Sequence, residues 1–244
     1  MNRKHLIKIG LVVALIGLIV MFPARVAYRW FAPAEFVASG ISGTIWNGHA
    51  QEATANGFYL RELSWDFLPA KLFTGKIGFA LESRFATGFL EGQLALGLTG
   101  NVYASGLRCA LPLENLQTIP FVAGSRGMLS ADFSRLQINN GLPVVADGKL
   151  EIAGLMNPLL HREPIGGFRA EFFTQESGVT ASIEDTAAVI DLAGSLQLGA
   201  DGKYQFLAQV SAVDSTPPSV REQLRFLGSA NERGQHELRL EGQL

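Results

Sequence analysis

From about residue 34 onward the chain alternates apolar and polar positions with a period of two. Leu90, Gly92, Leu94, Leu96 and Leu98 alternate with Glu91, Gln93, Ala95, Gly97 and Thr99. Val179, Ala181 and Ile183 are set against Thr180, Ser182 and Glu184, and Ile190, Leu192, Gly194, Leu196 and Leu198 against Asp191, Ala193, Ser195 and Gln197. Tyr204, Phe206, Ala208 and Val210 form another such run, and Leu238, Leu240, Gly242 and Leu244 end the chain on the same pattern. Each run predicts a strand with one buried and one wet face. Antiparallel sheets carry that alternation, whereas parallel strands read as continuous apolar runs.

Turn chemistry fits hairpins. Gly199-Ala200-Asp201-Gly202 separates two alternating runs, and Asn139-Asn140-Gly141 and Ala146-Asp147-Gly148 are turn-forming strings. Near Ser134-Arg135 the apolar parity switches from Leu129, Ala131 and Phe133 to Leu136 and Ile138, which predicts a bulge or a strand break. Two segments leave the pattern. Pro112–Phe121 allows a short helix, and Ser219–Leu227, led in by Pro217-Pro218 and followed by Gly228, predicts a better one.

The N-terminus reads differently. Ile9–Phe22 is an uncharged apolar run that extends to Leu6 if Lys8 snorkels, and Leu6–Phe22 is at the short end of the ~17–25 residues a span needs. Its apolar positions include Ile9, Leu11, Leu15, Leu18 and Phe22. Pro23 marks a helix end, Tyr28 and Trp30 suit a membrane interface, and Arg3, Lys4 and Lys8 place the N-terminus in the cytoplasm. A cleaved signal peptide is the alternative, but Ala32-Pro33-Ala34 is a poor cleavage site. The expected organisation is residues 1–31 as cytoplasmic start and anchor, and 32–244 as one β domain across the membrane.

Charge sharpens this division. Five of the 20 basic residues precede Glu35, leaving 15 basic against 22 acidic in the remainder. A mildly acidic domain has no electrostatic reason to bind nucleic acid. The single cysteine, Cys109, forms no intrachain disulfide and reads as a packed thiol between Leu107, Ala110 and Leu111. None of the common hydrolase, zinc-protease, phosphate-loop or dinucleotide motifs occurs. His5, His49, His161 and His236 are dispersed, and Glu184-Asp185 reads as a solvated strand end. No enzyme activity, cofactor or metal is expected.

Motifs at both ends converge on one family. Phe22-Pro23-Ala24 follows the apolar run; then come Ile41-Ser42-Gly43-Thr44-Ile45-Trp46-Asn47-Gly48 and Leu60-x-x-Leu63-x-Trp65-Asp66-Phe67-Leu68-Pro69. Gly202-Lys203-Tyr204 and Leu224–Gly228 stand near the end. This order resembles protein N of the type II, or general, secretion pathway. The resemblance implies a single-pass bacterial inner-membrane protein with a periplasmic domain. It would be an accessory part of the machine that exports folded proteins across the outer membrane. No catalytic residue carries over.

Within the motif, Gly43, Thr44, Trp46, Gly48 and Trp65 are the candidate site residues. Trp46 and Trp65 either pack at the start of the sheet or leave a ring exposed for a partner. The alternative function is lipid or amphiphile binding on an apolar concave face, similar in architecture to AsmA-type envelope proteins. The expected fold is thus all-β and mainly antiparallel: an extended curved sheet or open half-barrel with one or two short helices, plus one N-terminal transmembrane helix. Mid-strand Gly92 and Gly194 favour an open, bent sheet over a sandwich or closed barrel.

Overall fold

A computed structural model describes residues 3–55, 58–85, 87–116, 122–158 and 161–243. Among these, the dominant feature is a single 14-stranded sheet in which every pairing is antiparallel.

Two helices come first, α1 (Arg3–Val20) and α2 (Ala24–Phe31), broken at Pro23. The strands follow in chain order: β1 (Phe36–Ser39), β2 (Ser42–Gly43), β3 (Asn47–Ala55), β4 (Phe58–Phe67), β5 (Lys76–Phe85), β6 (Gly88–Gly97) and β7 (Val102–Pro112). Then come β8 (Arg126–Asn139), β9 (Leu142–Met156), β10 (Gly166–Gln175), β11 (Gly178–Asp185), β12 (Ile190–Gly199) and β13 (Lys203–Ala212). A third helix, α3 (Pro218–Leu224), precedes β14 (Gln235–Gln243). The spatial order is the chain order from β1 to β14, with only β2 off the path as a short partner of β3. β1 and β14 each have a partner on one side only, so the sheet is an open meander.

Register explains how one layer makes a core. Side chains directly opposite across the ladder share a face. Following the pairs from Trp65 through Leu81, and from Phe79 through Leu94, Ala104 and Leu136 to Ala146, traces one apolar row. Another runs through Phe133, Gly148, Phe172, Ala181, Leu196, Phe206 and Leu240. The opposite face carries charges: Glu91–Arg108 at 2.5 Å, Arg135–Asp147 at 2.8 Å, and Arg169 between Glu151 and Glu184 at 3.4 and 3.5 Å.

A flat single layer cannot bury its own apolar face, so the sheet curls. Cα atoms of β9 and β11 come within 8 Å although β10 lies between them; two flat strand spacings are about 9.6 Å. The curl gathers Phe133, Ala146, Val179 and Leu198 into one buried cluster, with the Phe133 and Phe172 rings 5.5 Å apart. A second cluster forms where the 3-10 turn Leu113–Leu116 meets Leu129, Ile152 and Phe58.

Several expectations are met. Gly199 and Lys203 bound the β12–β13 turn, and Asn140-Gly141 makes the β8–β9 turn. The parity switch is a register shift between Phe133 and Arg135, with the Ser134 hydroxyl donating to the Asp147 carbonyl at 3.0 Å. The helix expected at Ser219–Leu227 is α3 plus a 3-10 turn over Arg225–Leu227, closed by Gly228.

Others need correction. Ala146-Asp147-Gly148 is not a turn but mid-strand in β9, where Gly148 lies beneath Phe133 and Asp147 faces Arg135 across the bulge. Pro112 ends β7 and only Leu113–Leu116 forms a 3-10 turn; the rest of that expected helix lies outside the described residues. In β6 the 3-10 turn Pro69–Thr74 covers the polar-face Ala95, which is 6% exposed, while Leu96 is 56% exposed and Leu98, already in the turn past the strand end, 90%.

The N-terminal helix also differs from expectation. α1 stops at Val20, so its helical uncharged stretch is Ile9–Val20, preceded by Arg3, Lys4 and Lys8. Among the described residues no helix is long and apolar enough to cross a membrane.

Candidate functional site

The motif residues meet where α1 ends and the sheet begins. The Thr44 hydroxyl accepts from the Trp46 and Asn47 amides at 3.2 and 3.1 Å, a local side-chain turn that holds the loop between β2 and β3. Gly43 adopts φ +83° within this turn, in the left-handed region that glycine tolerates, and a Cβ there would approach the Asn47 carbonyl. The Trp46 indole Nε1–H then donates to the Ile19 carbonyl at 2.8 Å, and the Ile45 amide donates to the Phe22 carbonyl at 3.1 Å. The Ile19 carbonyl, in the last turn of α1, also accepts from the Phe22 amide at 3.3 Å, and the Phe22 carbonyl lies just past the helix end, where such groups need partners from outside the helix. The loop therefore caps α1 and fixes it to the sheet. The Trp46 ring rests against Phe67, centroids 4.7 Å apart.

Trp65 works on the apolar face. Its Nε1–H donates to the Thr44 carbonyl at 3.2 Å, and its ring lies on Gly48, directly opposite in β3. Any side chain at position 48 would run into that ring. The structure thus brings Gly43, Thr44, Trp46, Gly48 and Trp65 together in one joint, both tryptophans being half-buried.

α2 forms the roof of this region. Ala24, Ala27, Tyr28 and Phe31 share its inner side, while Arg25, Arg29 and Trp30 are exposed. Ala24, Ile41 and Ala50 are buried together, with Tyr28, Ala38 and Trp65 packed on them. The Tyr28 hydroxyl accepts from the Ala38 amide at 3.0 Å, and Arg25 Nε donates to the Ile41 carbonyl at 2.5 Å. Between α2 and β1–β4 lies an apolar cavity of about 300 Å³ lined by Ala27, Tyr28, Phe31, Phe36, Ala38, Ile45, Leu63 and Trp65 among others. Neither α2 nor the cavity was anticipated. The signal existed: Ala24, Ala27, Tyr28 and Phe31 follow the i, i+3, i+4, i+7 spacing of an amphipathic helix.

Of the residues expected to form an anchor, Ile9, Leu11, Leu15 and Leu18 are 56–71% exposed on α1, and Phe22 packs on Trp30 at 6.1 Å. Three of the four histidines have partners: His49 lies 3.0 Å from Glu62, His161 3.1 Å from the Ser219 hydroxyl, and His236 2.8 Å from the Gly228 carbonyl. Asp185 accepts from the Leu192 amide at 2.8 Å, and Glu184 faces Arg169. Among the described residues no three His, Cys, Asp or Glu side chains group as a metal site would. Burial raises the Cys109 thiol pKa, consistent with packing against Leu111, Leu113 and Leu116.

Fold and joint define a class: a single-sheet antiparallel meander with one apolar face, its first hairpin locked to an apolar N-terminal helix. Within that class, the chain belongs to the family of type II secretion system protein N, whose pattern it matches over residues 34–239. It is 27% identical to the type II secretion system protein N of Vibrio cholerae over 95% of each chain. It is 23% identical to that of Pectobacterium carotovorum, over 91% of this chain and 90% of the relative. It is also 23% identical to that of Aeromonas hydrophila over the full length of both. No solved structure matches the chain significantly.

Proposed function

We propose that this protein is an accessory, non-enzymatic component of the type II secretion machine, a scaffold in the export of folded proteins across the outer membrane. The family match over 34–239 carries the reading. The chain is held at the bacterial inner membrane by α1 in a single pass, with the N-terminus cytoplasmic. Residues 1–31 are start and anchor, and 32–244 the periplasmic domain. Support for the anchor comes from the apolar side chains of Ile9–Val20, which stay exposed along α1. With Lys8 snorkelling and the aromatic Phe22, Trp30 and Phe31 at the far end, a short hydrophobic segment suits a locally thinned bilayer.

Other secretion components are the expected partners. The free side of β14 offers unpaired backbone groups for strand addition. The joint formed by Gly43, Thr44, Trp46, Gly48 and Trp65 offers the half-exposed Trp46 ring. In-cell crosslinking tests this, with a photoreactive residue at Trp46 and at Leu240. Discrete adducts to other secretion components are expected; a folded protein giving none from either position would defeat the scaffold reading.

A second reading, amphiphile binding along the apolar face, is favoured by one observation. That face is continuous, and Ile77, Leu96 and Leu240 on it remain 49–56% exposed. Lipid retained by the purified chain and detected by mass spectrometry would support it.

A further inference from the structure

We propose that the cavity between α2 and the first strands holds one acyl chain of an anionic bilayer phospholipid, with Arg25 and Arg29 placed for the headgroup. The inference rests on the reading of α1 as a membrane anchor. Three observations carry it beyond that reading.

The first is chemical. The cavity has no charged side chain in its lining, and its two polar side-chain atoms are already committed: the Tyr28 hydroxyl to the Ala38 amide, and Trp65 Nε1 to the Thr44 carbonyl. The Tyr28 hydroxyl accepts in its bond and keeps one O–H to donate, a single polar group in an otherwise apolar lining, so the occupant is hydrocarbon. The volume of about 300 Å³ is at the lower end of small-ligand sites, suited to one chain rather than a whole lipid.

The second is position. α2 starts at Ala24, four residues past the end of α1, and Trp46 and Ile45 fasten the sheet to carbonyls of Ile19 and Phe22. The cavity therefore adjoins the end of the helix that enters the bilayer. Phe31, at its lip, is 75% exposed, and the neighbouring Trp30 67%. Exposed aromatic rings at this level sit well among headgroups.

The third is charge. Arg25 and Arg29 stand one helical turn apart and are exposed; Arg25 Nε donates to the Ile41 carbonyl and leaves its terminal guanidinium nitrogens for an anion, and no acidic residue precedes Glu35. With its apolar side turned to the sheet, α2 presents its cations outward beside the end of α1, where anionic headgroups attract basic side chains.

The test uses the full chain in nanodiscs containing phosphatidylglycerol with a diazirine at the end of one acyl chain. Irradiation and peptide mapping are expected to find adducts on Ile41 and Leu63, inside the cavity, as well as on α1. Filling the cavity by Ala27→Phe, or from the opposite wall by Ala38→Leu, should abolish the sheet adducts and leave those on α1. Adducts confined to α1 in the native chain would overturn the proposal while leaving the anchor intact, as when a second protein chain occupies the cavity. Sheet adducts that persist in both filled, folded variants would overturn it too. Failure of the chain to enter nanodiscs would defeat the anchor reading and this one together. Equal labelling by a phosphatidylcholine probe would remove the arginine part.

Discussion

Trp46 and Trp65 stand nineteen positions apart and do different work. Trp46 ties the end of α1 to the sheet through one hydrogen bond to Ile19, whereas Trp65 lies across Gly48 and fixes the first hairpin. Trp46→Phe keeps the ring on Phe67 and removes the donor, so a loss of about 1 kcal/mol in urea unfolding is expected. Gly48→Ala forces a Cβ into the Trp65 ring and should cost about 1–3 kcal/mol, visible also as a changed Trp65 fluorescence. A neutral Gly48→Ala would mean that the ring is not where the joint requires it.

Asp147 adds a pH dependence at the same scale. The Thr174 amide, which donates to its carboxylate, holds the Asp147 pKa below the usual range, and the Thr174 hydroxyl and Arg135 act in the same direction. A depressed pKa contributes stability that is present above the unfolded value, about 3.9, and is lost as pH falls through the folded one. Asp147→Asn is therefore expected to be less stable at pH 7 and to have a flatter stability profile below pH 4. A profile parallel to that of the native chain in acid would exclude this role.

Among elements, strands were legible because their signal is local. β12 alternates between half-buried and exposed from Ile190 to Gln197, as its period of two requires. The bulge at Ser134 was legible for the same reason, since an extra residue flips the parity. What failed was context. Ala146-Asp147-Gly148 has turn chemistry, yet the chain runs straight through it. The side chain of Asp147 there serves Thr174 and Arg135 instead of a turn, and the glycine makes room for Phe133. Period alone places Leu96 and Leu98 on a buried face. The residue actually buried in that stretch is Ala95, because the Pro69–Thr74 turn folds over the other side. α2 is hard to read from sequence because its eight residues mix inward Tyr28 with outward Arg25, Arg29 and Trp30, a pattern that a membrane-interface segment shares.

α3 provides the test at this scale. Val220 and Leu224 are buried, α3 contacts β13, and the Thr216 hydroxyl donates to the Val189 carbonyl at 2.5 Å just before it. Leu224→Ala should cost about 2–5 kcal/mol in chemical denaturation, a core-sized loss rather than that of a surface helix. A change under about 0.5 kcal/mol would place the helix away from the sheet.

At the scale of the molecule, the order of strands is the order of the chain, so each strand depends on its two sequence neighbours. Such a meander behaves as a nearly one-dimensional array, in which stability is built from nearest-neighbour contacts. The open, bent sheet expected from mid-strand Gly92 and Gly194 is the one that forms, although closure itself is a relation between the first strand and the last that local pattern specifies only indirectly. The two edges differ: β1 has four residues, while β14 has nine, with Glu237, Arg239 and Glu241 along it as charges that discourage unwanted pairing. The curl adds contacts beyond nearest neighbours where Phe133, Val179 and Leu198 meet, and that makes β8–β12 the most stable part. Amide hydrogen exchange should therefore rise from the slowest rates in β9–β11 towards both ends, with β14 exchanging fastest among the long strands. If β14 of the isolated chain were as protected as β9, its free side would have to be covered by something the open meander does not contain, and strand addition by a secretion partner would lose its place to bind.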